Sequence, residues 1–172
     1  DVSESSIFKG EPSSFSGGVS YSDSLLSIIN PVMLSIGPSI VTIQGDANYK
    51  EELINLDLSL TDASTALINN FWSDTLSSGS ATGSMFLNGS FDTIAVDADL
   101  IISDFAYKNI QLSSFELFAK LKNLNNFDKG AIRTKFQDGS WDEFSFESGN
   151  GQFSLNENII TISSFELRNK KD

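Results

Sequence analysis

Two stretches of the chain repeat each other at a fixed offset of 50 residues, without a gap. Over the 29 aligned positions of residues 89–117 and 139–167, nine residues are identical, including all of SSFEL at residues 113–117 and its copy at residues 163–167. A repeat of this length is typical of a supersecondary unit that cannot cover its own apolar face and must stack on a neighbour. The repeat therefore predicts an elongated, repetitive β structure.

Alternation marks the clearest strand, at residues 94–102, where every second residue from Ile94 to Ile102 is apolar and Asp97 and Asp99 fall between them. Residues 54–60 follow the same pattern. Only a backbone with a period of two residues separates the two sets in this way. The pattern predicts strands with one apolar face and one polar face.

The last forty residues are predicted to form an antiparallel meander. Turns are predicted at Asp138-Gly139, at residues 149–151 and at residues 156–158. Asp-Gly between alternating runs is a strong hairpin signal, because a type I′ turn needs positive φ at both central residues. These turns would separate four strands, at residues 130–137, 140–147, 152–155 and 159–167.

Alternation changes phase near Ser113-Ser114, where the apolar set moves from Ile110 and Leu112 to Phe115 and Leu117. A change of face within a strand needs an irregularity, so a β-bulge or a break is expected there. The second copy of the repeat has the same Ser-Ser, at residues 163–164. The same irregularity is therefore expected in both copies.

Two segments have apolar residues at roughly helical spacing. Residues 62–72 begin with Asp62 as a candidate N-cap, and residues 24–29 could form one or two helical turns before Asn30-Pro31. The first twenty residues, rich in Ser and Gly, are expected to be frayed or loosely paired. Residues 77–80 are the best linker candidate but are too short for a domain boundary. We therefore predict one β domain over residues 1–172, cut from a much longer repetitive protein.

The net charge of −12 is unevenly distributed. Residues 1–107 contain 14 acidic residues and two basic ones, whereas residues 108–172 contain nine of each. An acidic surface repels phosphate backbones, so nucleic acid is excluded as a partner. It also disfavours adsorption onto anionic bilayers. Solubility and protection against edge-to-edge association explain the charge without a partner.

Candidate catalytic residues are few, because the chain has no His and no Cys. The common nucleophile–base pairs and most zinc or redox-metal sites are therefore missing. Residues 6–9 spell S-x-x-K, but its partner motifs are absent. Asp97, Asp99 and Asp104 could hold calcium or serve as acid and base, although a solvated strand face explains them better. We predict no enzyme activity, no cofactor and no metal.

The remaining feature is the apolar face itself, for which two structures are possible. In a closed sandwich or barrel this face is the core, as in a structural or adhesive repeat module of a secreted or cell-surface protein. In an open, strongly curved sheet the same face would line a groove for acyl chains. Burial there is favourable by about 0.8 kcal/mol per methylene.

Residues 79–92 (GSATGSMFLNGSFD), followed by the strand at residues 94–102, resemble the TamB family and the wider AsmA-like group. The recurring phrase is a Gly, a second Gly about four residues later, an apolar strand, and then Gly-Ser or Gly-Thr. Residues 42–46 and 151–155 are similar to other parts of such a unit, and the resemblance covers most of residues 38–168. Many members place a Pro shortly after the Gly-Thr, and none follows Gly89-Ser90 here.

This resemblance implies a mainly β, repetitive antiparallel meander in a strongly curved open sheet with an apolar concave face and at most one or two short helices. It implies a periplasmic bridge, anchored in the inner membrane outside this segment, that works with an outer-membrane barrel of the TamA/BamA type. Its expected ligand is a phospholipid or another acyl-chain molecule. Its expected role is inter-membrane phospholipid transport, outer-membrane protein assembly, or both.

The alternation predicts which residues would line such a groove. The proposed groove residues are Ile54, Leu56, Leu58, Leu60, Met85, Leu87, Ile94, Val96, Leu100, Ile102, Phe144, Phe146, Phe153, Leu155, Ile160 and Ile162.

Overall fold

The fold is one antiparallel β-sheet. A computed structural model describes residues 2–8, 11–65, 77–124, 129–157 and 159–169. The strands are β1 (Val2–Phe8), β2 (Glu11–Ser22), β3 (Leu25–Ile36), β4 (Ser39–Asn48), β5 (Leu53–Ser64), β6 (Ser77–Ser90), β7 (Thr93–Tyr107), β8 (Ile110–Leu121), β9 (Lys129–Trp141), β10 (Phe144–Asn156) and β11 (Ile159–Asn169).

Sheet order follows chain order from β1 to β11, so the strands form a meander of ten antiparallel pairs. Among the described residues β1 and β11 do not pair, and the sheet stays open. Neither a helix nor a second sheet lies over it in this part of the chain. The predicted fold class, an open antiparallel meander, is therefore confirmed, and the closed core of the alternative interpretation is not observed.

The accessible surface also reflects an open fold. It amounts to 11315 Å², whereas a compact monomer of this mass exposes about 8,300 Å². Nevertheless one face is partly shielded, since Val96, Leu100 and Phe146 are buried with only 4–8% of their surface exposed. In a single-layer sheet such burial requires curvature, so the apolar face is the concave one. We call it the inner face and the polar face the outer face.

Two apolar clusters lie on the inner face. The first is centred on Val96, Leu100 and Leu121, and the second on Leu112, Phe136 and Phe146. No described side chain is less than 2% exposed. The sheet therefore has a shallow core that its own curvature shields.

The 50-residue repeat corresponds to an advance of three strands. Gly89-Ser90 ends β6 and precedes a turn, and Gly139-Ser140 lies near the end of β9 before the next turn. The first copy continues through β7 into β8, and the second through β10 into β11. Equivalent strands are thus separated by two others.

Neither predicted helix forms in the described residues. Leu25 and Ile29 lie on the outer face of β3 and are exposed, while Leu26 and Ile28 pair with inner-face residues of β4 and β2. Because β3 carries apolar residues on both faces, their spacing in the sequence resembles that of one face of a helix. The chain enters β3 through a two-residue turn whose first residue, Asp23, has a φ of 50°.

The second helix prediction is also wrong at its start. Asp62, the candidate N-cap, lies inside β5 with a φ of 46°. Residues 66–72, the rest of that prediction, lie outside the described residues. The linker candidate at residues 77–80 begins β6. Of the first twenty residues, those that the structure describes belong to strands, residues 2–8 to β1 and residues 11–20 to β2.

Two predicted turns are absent as well. The chain passes through Asp138-Gly139 within β9 and turns only at Asp142-Glu143. Asp138 does have positive φ, 43°, but this conformation bends a strand instead of reversing it. Residues 149–151 lie within β10. Of the turn predicted at residues 156–158, Asn156 ends β10, Glu157 lies in a turn, and residue 158 lies outside the described residues.

Candidate functional site

Inner-face residues of neighbouring strands are aligned by the register into rows that run across the sheet. One of these rows contains no charged residue and consists of Val32, Ile43, Leu58, Met85, Ala98, Ala119, Ile132, Phe153 and Ile162. Strands lie about 4.8 Å apart, so this row is roughly 38 Å long. A second row beside it runs from Leu56 through Leu87, Val96 and Leu121 to Ile160.

All sixteen residues predicted to line a groove lie on this inner face, with different burial. Five are buried: Val96, Leu100, Ile102, Phe146 and Leu155. Eight are half-buried: Ile54, Leu56, Leu58, Leu60, Met85, Leu87, Ile94 and Phe153. Three are exposed: Phe144, Ile160 and Ile162. The last two belong to β11, which has no strand beyond it among the described residues.

An oblique crease crosses the sheet and divides each strand into a long and a short part. It runs from Asp62 in β5 through Gly79, Asp104 and Ser113 to Asp138 in β9. The three Asp residues have φ values of 43° to 51°. Asp tolerates this left-handed conformation better than most residues because its short side chain can hydrogen-bond locally.

Hydroxyl groups replace missing ladder hydrogen bonds along this crease. Ser113 Oγ donates to the carbonyl oxygen of Asp138 at 3.1 Å. The N–H of Asp62 donates to Thr82 Oγ1 at 3.1 Å, and its carbonyl oxygen accepts from Ser39 Oγ at 2.9 Å. These backbone groups of Asp62 and Asp138 therefore keep hydrogen-bond partners where the ladder is interrupted, which favours the bend.

At the crease the alternation of side chains between the two faces also shifts by one residue, so residues an odd number of positions apart lie on the same face. Leu112 and Phe115, three residues apart, pack in one cluster on the inner face. The ladder skips Ser113 without a register shift, so the irregularity predicted there is a break. In β11 the matching irregularity at Ser163 does shift the register by one residue. Both copies are irregular at their Ser-Ser, as predicted, but in different ways.

An aromatic cavity of about 310 Å³ lies where the two parts of the sheet face each other across the crease. The short parts of β7 to β10 and the long parts of β8 to β11 both line it, and it is mainly apolar. Its lining residues are Phe105, Ile110, Leu112, Phe115, Thr134, Phe136, Trp141, Phe146, Phe153, Phe165 and Leu167. This volume is near the lower end for small-molecule pockets.

Glycines on the inner face make room for the aromatic rings. A Cβ at Gly139 would overlap the ring of Phe146, and one at Gly149 would overlap the ring of Phe136. The Phe136 and Phe146 rings are themselves in edge contact, with centroids 5.4 Å apart. Rings lying over glycines shield the backbone and line the cavity.

Most of the cavity was missed by the sequence prediction, which included only Phe146 and Phe153. Phe105, Phe115 and Phe136 were left out because each follows or precedes a change of phase at the crease. Ala98 and Ala119 were also left out of the predicted groove, although both are buried in the row from Val32 to Ile162. Applying the apolar–polar alternation to β8 as well would have placed Ala119 on the inner face.

Charges in the middle of the sheet lie on the outer face. Asp97 pairs with Lys120 at 2.7 Å, and Glu116 lies 3.6 Å from Lys135, each pair joining neighbouring strands. In the described residues no group of three acidic residues could hold a metal ion. Asp97 is thus part of an exposed ion pair. Lys9 of the S-x-x-K motif lies outside the described residues.

A single open sheet with an apolar concave face defines an elongated β-trough protein. The family model described as "TamB, N-terminal domain" matches residues 6–158. The chain therefore belongs to this family, as the Gly-strand phrases predicted. Comparison with curated proteins and with solved structures gave no match. The described residues contain no helix long and apolar enough to cross a membrane.

Proposed function

We propose that the inner face is a groove that carries the acyl chains of lipids. The observation that carries this proposal is the uncharged row from Val32 to Ile162, which crosses nine strands and has no covering layer among the described residues. Each methylene placed there contributes about 0.8 kcal/mol, so ten methylenes contribute about 8 kcal/mol before ordering costs. A continuous row offers similar contacts at every strand, which allows a chain to move along it.

Membership of the TamB family supports a role in transport or assembly between membranes. We propose that the parent protein is anchored in the inner membrane, spans the periplasm and works with an outer-membrane barrel of the TamA/BamA type. Its cargo would be glycerophospholipid, and a role in outer-membrane protein assembly would use the same apolar face. The protein would work without catalytic turnover.

A charge introduced into the groove tests this proposal without disturbing its buried part. Ile162 is 63% exposed on the inner face, and Thr161, also exposed, lies beside it on the outer face. In Ile162→Glu an acyl chain reaching β11 would have to desolvate a carboxylate, so we expect about tenfold weaker binding of a fluorescent fatty acid. Thr161→Glu adds the same charge on the other face and should bind like the unmodified protein.

Mass spectrometry of native extracts should also find co-purified phospholipid. If the two variants bind the fatty acid equally well, and the extracts contain no lipid, the groove does not carry acyl chains.

A further inference from the structure

The outer face of β8 to β11 contains a second cavity, of about 440 Å³. Phe118, Arg133, Lys135, Asn150 and Arg168 contribute to its lining. Arg133 and Lys135 alternate along β9 with residues of the inner face. The charged side chains of this cavity therefore lie on the opposite face of the sheet from the apolar inner face, although Thr134 and Phe136 contribute to the lining of both cavities.

Register shifts on both sides of the cavity set it apart from the regular outer face. Between β10 and β11 the register shifts once between Phe146 and Ser148 and again between Gln152 and Phe153. The segment of β10 that lines the cavity lies between these two shifts. Bulges of this kind raise local twist and redirect side chains, and they are enriched beside functional sites.

Positive charge in the cavity is not fully compensated. Lys135 faces Glu116 at 3.6 Å, and Glu166 accepts a hydrogen bond from Asn150 at 3.3 Å. Within the described residues neither Arg133 nor Arg168 has a carboxylate within the 4.0 Å of an ion pair. The Arg133 guanidinium lies 5.7 Å from the centre of the Phe118 ring, which orients it without neutralising it.

These features differ from the rest of the surface, because residues 1–107 carry 14 acidic residues against two basic ones. An anion is repelled by that half of the molecule and attracted to the cavity. Guanidinium groups bind phosphate through paired hydrogen bonds in a fixed planar geometry. The Asn150 and Gln152 amides can donate further hydrogen bonds.

We propose that this outer cavity binds the phosphate group of a phosphate ester, held by Arg133 and Arg168. The ester can be a small soluble molecule or the headgroup of a lipid, since both present the same phosphate. Because the site is on the outer face, binding does not depend on the proposed acyl groove.

Calorimetric titration with glycerol 3-phosphate, and sedimentation with phosphatidylglycerol vesicles, tests the site. We expect Arg168→Gln and Arg133→Gln each to weaken binding about tenfold, the size of one lost charged hydrogen-bond pair. Arg168 is exposed on β11 and touches no ring in this structure, so its variant should fold normally. The matched control is Lys122→Gln, which removes the same charge at an exposed position outside this cavity.

Arginine-dependent binding of either probe supports the proposal, and the probe that binds identifies the source of the phosphate. Absence of binding to both probes at millimolar concentration overturns it, and so does an equal loss in Lys122→Gln, which would indicate general charge attraction. Ile162→Glu should leave phosphate binding unchanged. Failure of the acyl groove and failure of this site are therefore separable.

Discussion

Replacing Phe146 by Ala tests whether the inner face is an apolar surface that no second layer of protein covers. Phe146 is 4% exposed, and its ring is in edge contact with that of Phe136. Burial of the ring contributes about 1.5–3 kcal/mol, and the aromatic pair adds about 0.5–1.5 kcal/mol. We expect Phe146→Ala to lower the free energy of unfolding by about 3 kcal/mol. For a chain of this size that corresponds to a fall in Tm of roughly 6–12 °C.

Phe144 provides the matched control, on the same strand and two residues away. It is 47% exposed, and its ring centroid lies 6.4 Å from that of Phe146. Because Phe144 is half exposed, its replacement loses about half of the free energy of burying a Phe ring, which is about 1 kcal/mol. Phe144→Ala should therefore lower Tm by roughly 2–4 °C. Urea unfolding followed by circular dichroism measures both variants, and an unchanged slope shows that the folded states remain comparable.

The size of the loss also distinguishes an open face from a sealed core. In a closed interior the deleted ring leaves a void, which raises the cost toward about 5 kcal/mol. On the open inner face the space joins the groove and no enclosed void forms. A loss of 5 kcal/mol or more in Phe146→Ala would contradict the open trough, and equal losses in the two variants would contradict the burial argument.

Two further predictions concern the crease and the glycines. Asp104→Val should lower the free energy of unfolding by about 1–2 kcal/mol, because a β-branched residue resists a φ of 51°. Asp104→Asn should cost much less, and equal losses in urea unfolding would show that the left-handed backbone is not the cause. Gly149→Ala should displace the Phe136 ring and cost about 1–3 kcal/mol. Its near-ultraviolet circular dichroism should weaken, whereas an unchanged aromatic signal would mean that the ring does not lie over Gly149.

The inner face could be predicted from the sequence because alternation is a local property of each strand. Residues 94–102 and 54–60 needed no knowledge of their neighbours to be divided between two faces. In a meander each strand pairs with the next, so the rows follow once the strands are known. That is why all sixteen predicted groove residues lie on one face.

The crease could not be predicted in the same way. Asp138 has the positive φ expected at the first central residue of a hairpin turn, but the chain continues as a strand to Trp141. One left-handed residue is compatible with both outcomes, and the neighbouring strands decide between them. At Ser113 the change of phase was visible in the sequence, but its alignment with Asp104 and Asp138 depends on the register of β7, β8 and β9.

The outer cavity depends still more on the assembled sheet. Arg133 and Arg168 are 35 positions apart in the chain and belong to no motif. Only the pairing of β9, β10 and β11, with its two register shifts, brings both residues to the same cavity. Such a site is invisible to spacing rules, which detect residues close together in the chain.

The advance of three strands per 50-residue copy has a consequence for how such a molecule can change in size. Duplicating or deleting one copy would alter its extent by about 14 Å, three strand spacings, while the cross-section stayed the same. Since each strand contacts mainly the two beside it, the new junctions would resemble the old ones. The length of the sheet can thus be adjusted in evolution by changing the number of copies, with no redesign of the inner-face side chains.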